Sequence, residues 1–524
     1  MSEYEAVRFL QQATFGPSKA DVVELQETGI DAWIADQVTK EPVPYLDRMI
    51  EEWEIDRTRV DEVQDLFWER AIHGEDQLRQ RMAFALSQIV VISLQDQLLS
   101  PRVREYGVYL DDLQEEALGN YCQLVRKVSL SPVMGIYLSH MGNKMRDSST
   151  GIEPDENFAR EVMQLFTIGL EMLDEQGQPL GEETYDINDI SGLAKVFTGL
   201  TWANTRFDRP QITDDNRYIP MAGYPEFHEP GPKSFLGTTI DVGTSPVASV
   251  QAALDFLLTH PNVAPFISKQ LIQKLVTSNP SPEYVGRVAE VFNAGSFELA
   301  NGQVIGTGQR CDMAAVAAAI LTDEEAQNTE TGEREGKLRS PLLRLANVVR
   351  SFRGEQTVST SGPIPYSGRL RSLDLDGRLE MNAFASPGVF NFYRPGFVEP
   401  GSEAGDMGLV TPEFQTQSTE AIIGYTKEVA SFYAAPDLRS NGRNFAFTSS
   451  IEPLRELAND PMALATEADL ILTGGKLPQD ALSELASMIE LVRIDPNAPE
   501  EGEFDRMRLA VAMIATSPEF LVQN

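Results

Sequence analysis

The sequence predicts a mainly α protein, a multi-helix globular chain with small β-hairpin elements and two long irregular loop regions. Three observations carry this. Apolar residues recur at helical spacing through most of the 524 residues, in runs bounded by capping residues and by Gly or Pro. Leu170 to Leu173 followed by Asp174-Glu175-Gln176-Gly177 reads as a hairpin with a glycine-bearing turn. Two stretches, Thr201 to Gly243 and Arg353 to Gly408, lose the periodicity and gather Gly, Pro and aromatics.

The elements follow in order. Tyr4 to Ala13 places Ala6, Phe9, Leu10 and Ala13 on one face, and Gly16-Pro17 stops the run. Ser18 caps a second helix that ends at Gly29. Gln80 to Leu94 is apolar on nearly every side, as a central buried helix would be. Asn120 to Val128 and Val133 to His140 are successive helices parted by Ser131-Pro132. A long helix is expected from Asp155 to Ile168, closed by Gly169, and another from a Thr184 cap to Phe197. Further helices are expected over Val247 to His260, Val263 to Val276, Pro282 to Ala294, Asp312 to Thr322 and Lys337 to Phe352. Thr411 to Ala434, Pro461 to Leu472, Gln479 to Val492 and Asp505 to Ala515 close the series. Asn328 to Lys337 is expected to be a mobile surface loop. The organisation divides into an N-terminal helical region (1–130), a central region with the hairpin (131–276) and a C-terminal helical region (277–524), read together as one compact module.

Composition bounds the function. With 42% hydrophobic and 8% aromatic residues the chain is neither disordered nor fibrous. A net charge of −36 repels nucleic acid and anionic lipid, so neither is expected as a partner. The cations are 11 Lys against 32 Arg, and a lysine-poor acidic surface suits salty water, where self-repulsion is screened. No run approaches the length of a membrane span. The N-terminus shows no leader pattern, which fits either a cytoplasmic chain or a leader removed earlier. Cys122 and Cys311 have no metal or redox spacing and read as buried free thiols, with one disulfide as the alternative.

The motif DENFAREVMQLFTIGL, from Asp155, resembles the signature of the bacterial domain-of-unknown-function family 1800. RFLQQATFGPS, RQRMAFALSQIVVIS and SPVMGIYLSHMGN precede it in order. TYDINDISGLAKVFTGLTW, FHEPGPKSFLG, HPNVAPFISKQLIQKLV, LRSPLLRLANVVRSF, SPGVFNFYRPGF and ATSPEFLVQN follow. The resemblance spans nearly the whole chain. It implies a largely helical fold and no common activity. It also implies a periplasmic or extracellular location, with cytoplasmic as the alternative. A further implication is a partner from family 1501, itself similar to alkaline phosphatases and sulfatases.

No HExxH, Walker loop or GxSxG elbow is present. Asp374, Asp376, Gly377 and Glu380 approach a calcium loop but fail its spacing, so a hairpin turn is expected there. In the signature helix, Asn157, Arg160, Glu161 and Gln164 share one face. This face reads either as an internal polar network or as a site with Glu161 as base or metal ligand. The second cluster is Phe227-His228-Glu229-Pro230-Gly231-Pro232-Lys233. There His228 would partner Glu161 in proton transfer or hold a divalent metal with it, and Lys233 and Arg160 would orient an anionic group. Of the four histidines, His73, His140 and His260 lie at expected helix ends; His228 does not.

Asn157, Gln164 and Trp202 complete the site as binding residues. The 201–243 segment is expected to fold over the signature helix and unite His228 with Glu161. The function expected on this basis is an exported enzyme, hydrolase-like or metal-assisted, acting on a polymer, glycan or protein. The alternative is a non-catalytic binding or assembly protein working with the phosphatase-like partner.

Overall fold

Ser2 and Ser18 begin the first two helices, Glu3–Ala13 and Lys19–Thr28, each with a reciprocal capping box in which Glu5 or Asp21 answers the serine. In the computed structural model, which describes residues 1–52, 60–149, 151–328, 336–353, 379–432 and 451–523, helices of this kind make up most of the protein. The strands form only two-stranded antiparallel pairs among the described residues.

The expected hairpin is present as Glu171–Leu173 paired with Pro179–Glu183. The 201–243 segment carries short pairs, Leu200–Thr201 with Ala222–Gly223 and Lys233–Phe235 with Thr238–Ile240. Asp374, Asp376 and Gly377 fall outside the described residues, as do positions 329–335 of the expected surface loop.

Several boundaries differ from the sequence expectation. The signature helix runs only over Asn157–Gln164. Thr167 Oγ1 donates to the Val162 carbonyl at 2.6 Å, and the backbone widens to i→i−5 bonds such as Ile168 N to Met163 O at 2.9 Å. Gly169 then turns at φ +70, where a Cβ would lie 2.8 Å from the Phe266 ring. The central buried helix is Gln77–Ser87, with every residue through Leu86 buried, and residues beyond Ser87 leave the helical path. Asp186, not Thr184, caps Ile187–Ala194, because Thr184 Oγ1 is bonded to the Gly169 carbonyl. Lys337–Leu338 is a strand paired with Val522–Gln523, and the helix starts after it at Pro341–Ser351. Thr411 leads into a 3₁₀ turn, Pro412–Thr416, before the helix Thr419–Phe432. The last long helix starts earlier than expected, at Pro499, and runs to Ala515.

Cys122 and Cys311 are a disulfide rather than free thiols, with Cα atoms 5.8 Å apart. Tyr121 N donates to Cys311 O at 2.9 Å beside an Asn120–Asp312 bridge, and this backbone pairing across 189 residues sets the two side by side.

Two apolar clusters form the interior. One joins the N-terminal and central helices up to Ala326. The other packs the helices from Pro341 onward against Phe15, Phe67, Trp68 and Phe84. None of the described helices is long and apolar enough to cross a membrane.

Candidate functional site

The polar face of the signature helix divides between two surroundings. Asn157, at its start, is exposed and donates to Ser139 Oγ at 3.4 Å. Arg160 is half-exposed and pairs with Glu156 at 3.6 Å, so the expected internal Arg160–Glu161 network is not formed. Glu161 is buried, and its Oε2 has no hydrogen-bond partner. Burial raises its pKa, and the nearby Arg160 charge opposes that rise. Gln164, at the far end, faces a cleft described below.

His228 is held elsewhere. Its Nδ1–H donates to Thr198 O at 2.8 Å, and its Nε2 accepts from Ser249 Oγ at 3.1 Å. Burial lowers its pKa, so the ring is a neutral latch between the loop and the helix Pro246–Leu257. Gly199, at φ +69, permits the close approach of this loop; a Cβ there would sit 2.9 Å from the His228 backbone nitrogen. Lys233 is fully buried, with Nζ 3.4 Å from its own loop's Gly231 carbonyl, and burial lowers its pKa. Trp202 is 2% exposed, an anchor under the loop rather than an open ring.

The 201–243 segment bonds to the Leu130, Met145 and Asp189 positions, not to the signature helix. No hydrogen bond or ion pair links Glu161 to His228. No group of three or more His, Cys, Asp and Glu side chains suited to a metal occurs among the described residues. Both nitrogens of His228 are bonded to Thr198 and Ser249 rather than to Glu161.

The histidine that touches the signature helix is His140, stacked on Phe158 at 4.0 Å between ring centres. Its Nε2–H donates to Ser129 O, the last residue of Tyr121–Ser129, and burial pushes its pKa down to about 4. His73 closes the helix Val60–His73, and burial with the Arg353 and Arg350 charges lowers it to about 4. His260 accepts from Asn262 N through Nδ1, and burial lowers it too, so it is no imidazolium at a helix end.

A larger feature opens where the signature helix ends. A cleft of about 1000 Å³ lies between Gln164–Pro179, the helix Val263–Leu275, the 278–282 turn and the 389–410 stretch. Its lining includes both carboxamides and rings. Gln164 and Gln178 make no side-chain hydrogen bond among the described residues, and Gln270 makes one weak bond to Phe266 O at 3.5 Å. Phe266, Phe390 and Tyr393 supply the rings, and Phe390 is 41% exposed.

The wall is itself well tied. Asn279 exchanges bonds of 3.0 and 2.8 Å with the Val410 backbone, and Gln88 Oε1 accepts from Tyr393 OH and Asn391 Nδ2.

Behind Tyr393 lies a buried ionic floor. Lys337 pairs with Glu413 at 3.0 Å and donates to Gln273 O and Lys274 O. Arg81 donates to Lys274 O at 2.6 Å, and Gln523 donates to Leu275 O and Val276 O. Together these side chains cap the carbonyl end of Val263–Leu275, where cations suit the helix dipole. Lys274 Nζ stands 4.1 Å from the Tyr393 ring centre. Burial, with Lys337 and Arg81 nearby, lowers its pKa to about 7 against the pull of Glu413.

Sequence reasoning missed this cleft because it sought acid–base pairs. The available signal was Lys269, Gln270, Gln273 and Lys274, long polar residues set at helical spacing within a largely apolar helix.

No curated protein and no solved structure matches this chain. Residues 8–522 match the family model described as a protein of unknown function, DUF1800, and with nearly its whole length matched the chain belongs to that family.

Proposed function

We propose that the protein is a glycan-binding protein whose cleft seats a short run of sugar rings. One observation carries this reading: the carboxamides of Gln164 and Gln178, without a hydrogen bond among the described residues, line the same cleft of about 1000 Å³ as the rings of Phe266, Phe390 and Tyr393. A sugar ring has an apolar face that stacks on Phe390 or Phe266, and hydroxyls that both donate to and accept from Gln164 and Gln178. The test is calorimetric titration with hexasaccharides of differing backbone. Binding in the micromolar to millimolar range, weakened about tenfold by Phe390→Ala, is expected. Absence of binding to any of them ends the reading.

The chain is also read as maturing in an oxidising compartment. Disulfides persist there, and Cys122–Cys311 closes a long loop. Thiol alkylation of freshly isolated protein, unfolded in denaturant without reductant, should label neither cysteine until reductant is added. Association with a phosphatase- or sulfatase-like family 1501 protein rests on the resemblance alone, and co-purification tests it.

A further inference from the structure

We propose that the glycan is an acidic one, its carboxylate or sulfate groups met by Lys269 and Arg394, the two cations that line the cleft. This rests on the glycan reading above and deepens it. Lys269 projects from Val263–Leu275, half-buried in the cleft wall, and has no acceptor or ion-pair partner among the described residues. Arg394 lies with its guanidinium 4.8 Å from the Phe390 ring centre and likewise has no carboxylate partner there.

In a chain with 79 acidic and 43 basic residues, carboxylates are abundant, so two unpaired cations in one cleft stand against the general charge. The lysines sharpen the point. Of only 11 in the chain, Lys269, Lys274 and Lys337 gather at this cleft and its floor.

The floor adds to the field. Arg81 is 1% exposed and its Nε and Nη1 have no partner, while Glu413 is already paired with Lys337. The helix C-terminus offsets part of this charge. Two carboxylates oppose it from the cleft lining. Glu325 accepts from Ser281 N at 3.0 Å, and Glu171 is exposed to solvent. Low-dielectric walls concentrate the remaining positive potential within the cleft, which draws anionic groups in preference to neutral ones. Burial lowers the pKa of Lys269, and a neighbouring anion would favour its charged form.

The experiment compares matched ligands. An oligogalacturonate hexamer is titrated beside its methyl ester, and a sulfated galactan hexamer beside its desulfated form. The acidic member of at least one pair should bind about tenfold more tightly at about 20 mM salt, and the pair that responds identifies the anion. That advantage should shrink as salt is raised and vanish in the Lys269→Gln/Arg394→Gln double variant. Equal binding of acidic and neutral members, or an advantage that survives the double variant, overturns the acidic preference while leaving glycan binding in place. Failure of all four ligands to bind overturns both.

Discussion

Glu161 carries a carboxylate oxygen with nothing to accept from, in a position that burial makes costly for a charge. A carboxyl whose pKa is raised on folding holds its proton more tightly in the native state. Its contribution is therefore favourable below the ordinary value of 4.5 and is lost as pH rises through the folded value. Glu161→Gln keeps the shape and removes the charge. It should raise stability at pH 7 by up to about 1 kcal/mol and leave it unchanged at pH 4, as read by thermal unfolding at both. A loss of stability at pH 7 would show that the carboxylate has a partner after all. The same residue marks where sequence reasoning stops. That Glu161 shares a face with Asn157 and Gln164 was legible from spacing. What the face meets was not, because Arg160 turns back to Glu156 and the partners of His228 lie 21 and 30 residues away along the chain. His228 and Lys233 attracted a chemical role by residue type, yet burial and backbone carbonyls account for both.

Phe166 and Leu165 adjoin at the end of the signature helix and face different surroundings. Phe166 is 1% exposed in the main apolar cluster, whereas Leu165 is only partly buried and lines the cleft. Phe166→Ala should cost about 3–5 kcal/mol through lost burial and the cavity left behind, and Leu165→Ala about 1 kcal/mol. Denaturant unfolding of the two variants measures the difference, and equal costs would mean that the helix end is placed wrongly. Helices were legible wherever a cap and an apolar stripe coincide, as at Ser18 or at Asp312 before Met313–Thr322. The signature helix ends earlier than its periodicity implies because Thr167 reaches back to the Val162 carbonyl, a contact that periodicity does not encode. Local pattern places Lys337 in a helix because its strand partner, Val522–Gln523, lies far along the chain. That pairing brings Gln523 to the carbonyls of Val263–Leu275 and so helps to shape the floor of the cleft.

The two apolar clusters meet through the N-terminal segment, since Ala6 to Ala13 belong to one and Phe15 to the other. No local pattern announces such a junction, because each stripe looks alike whichever surface covers it. The disulfide was equally hidden, as two cysteines 189 residues apart give no spacing to read. Net charge, by contrast, is wholly legible and has a consequence for the folded chain. At −36, carboxylates repel one another across the surface, and this repulsion opposes the compact state. Exposed ion pairs such as Arg146–Glu153 contribute little to offset it. The Lys337–Glu413 pair is buried and largely beyond the reach of salt. Added NaCl therefore screens the repulsion more than it weakens the attractions. Between about 0.05 and 0.5 M NaCl, as the screening length falls from roughly 14 to 4 Å, the unfolding midpoint should rise by a few degrees. A midpoint that falls steadily over that range would mean that exposed ion pairs, rather than like-charge repulsion, govern the stability of this acidic surface.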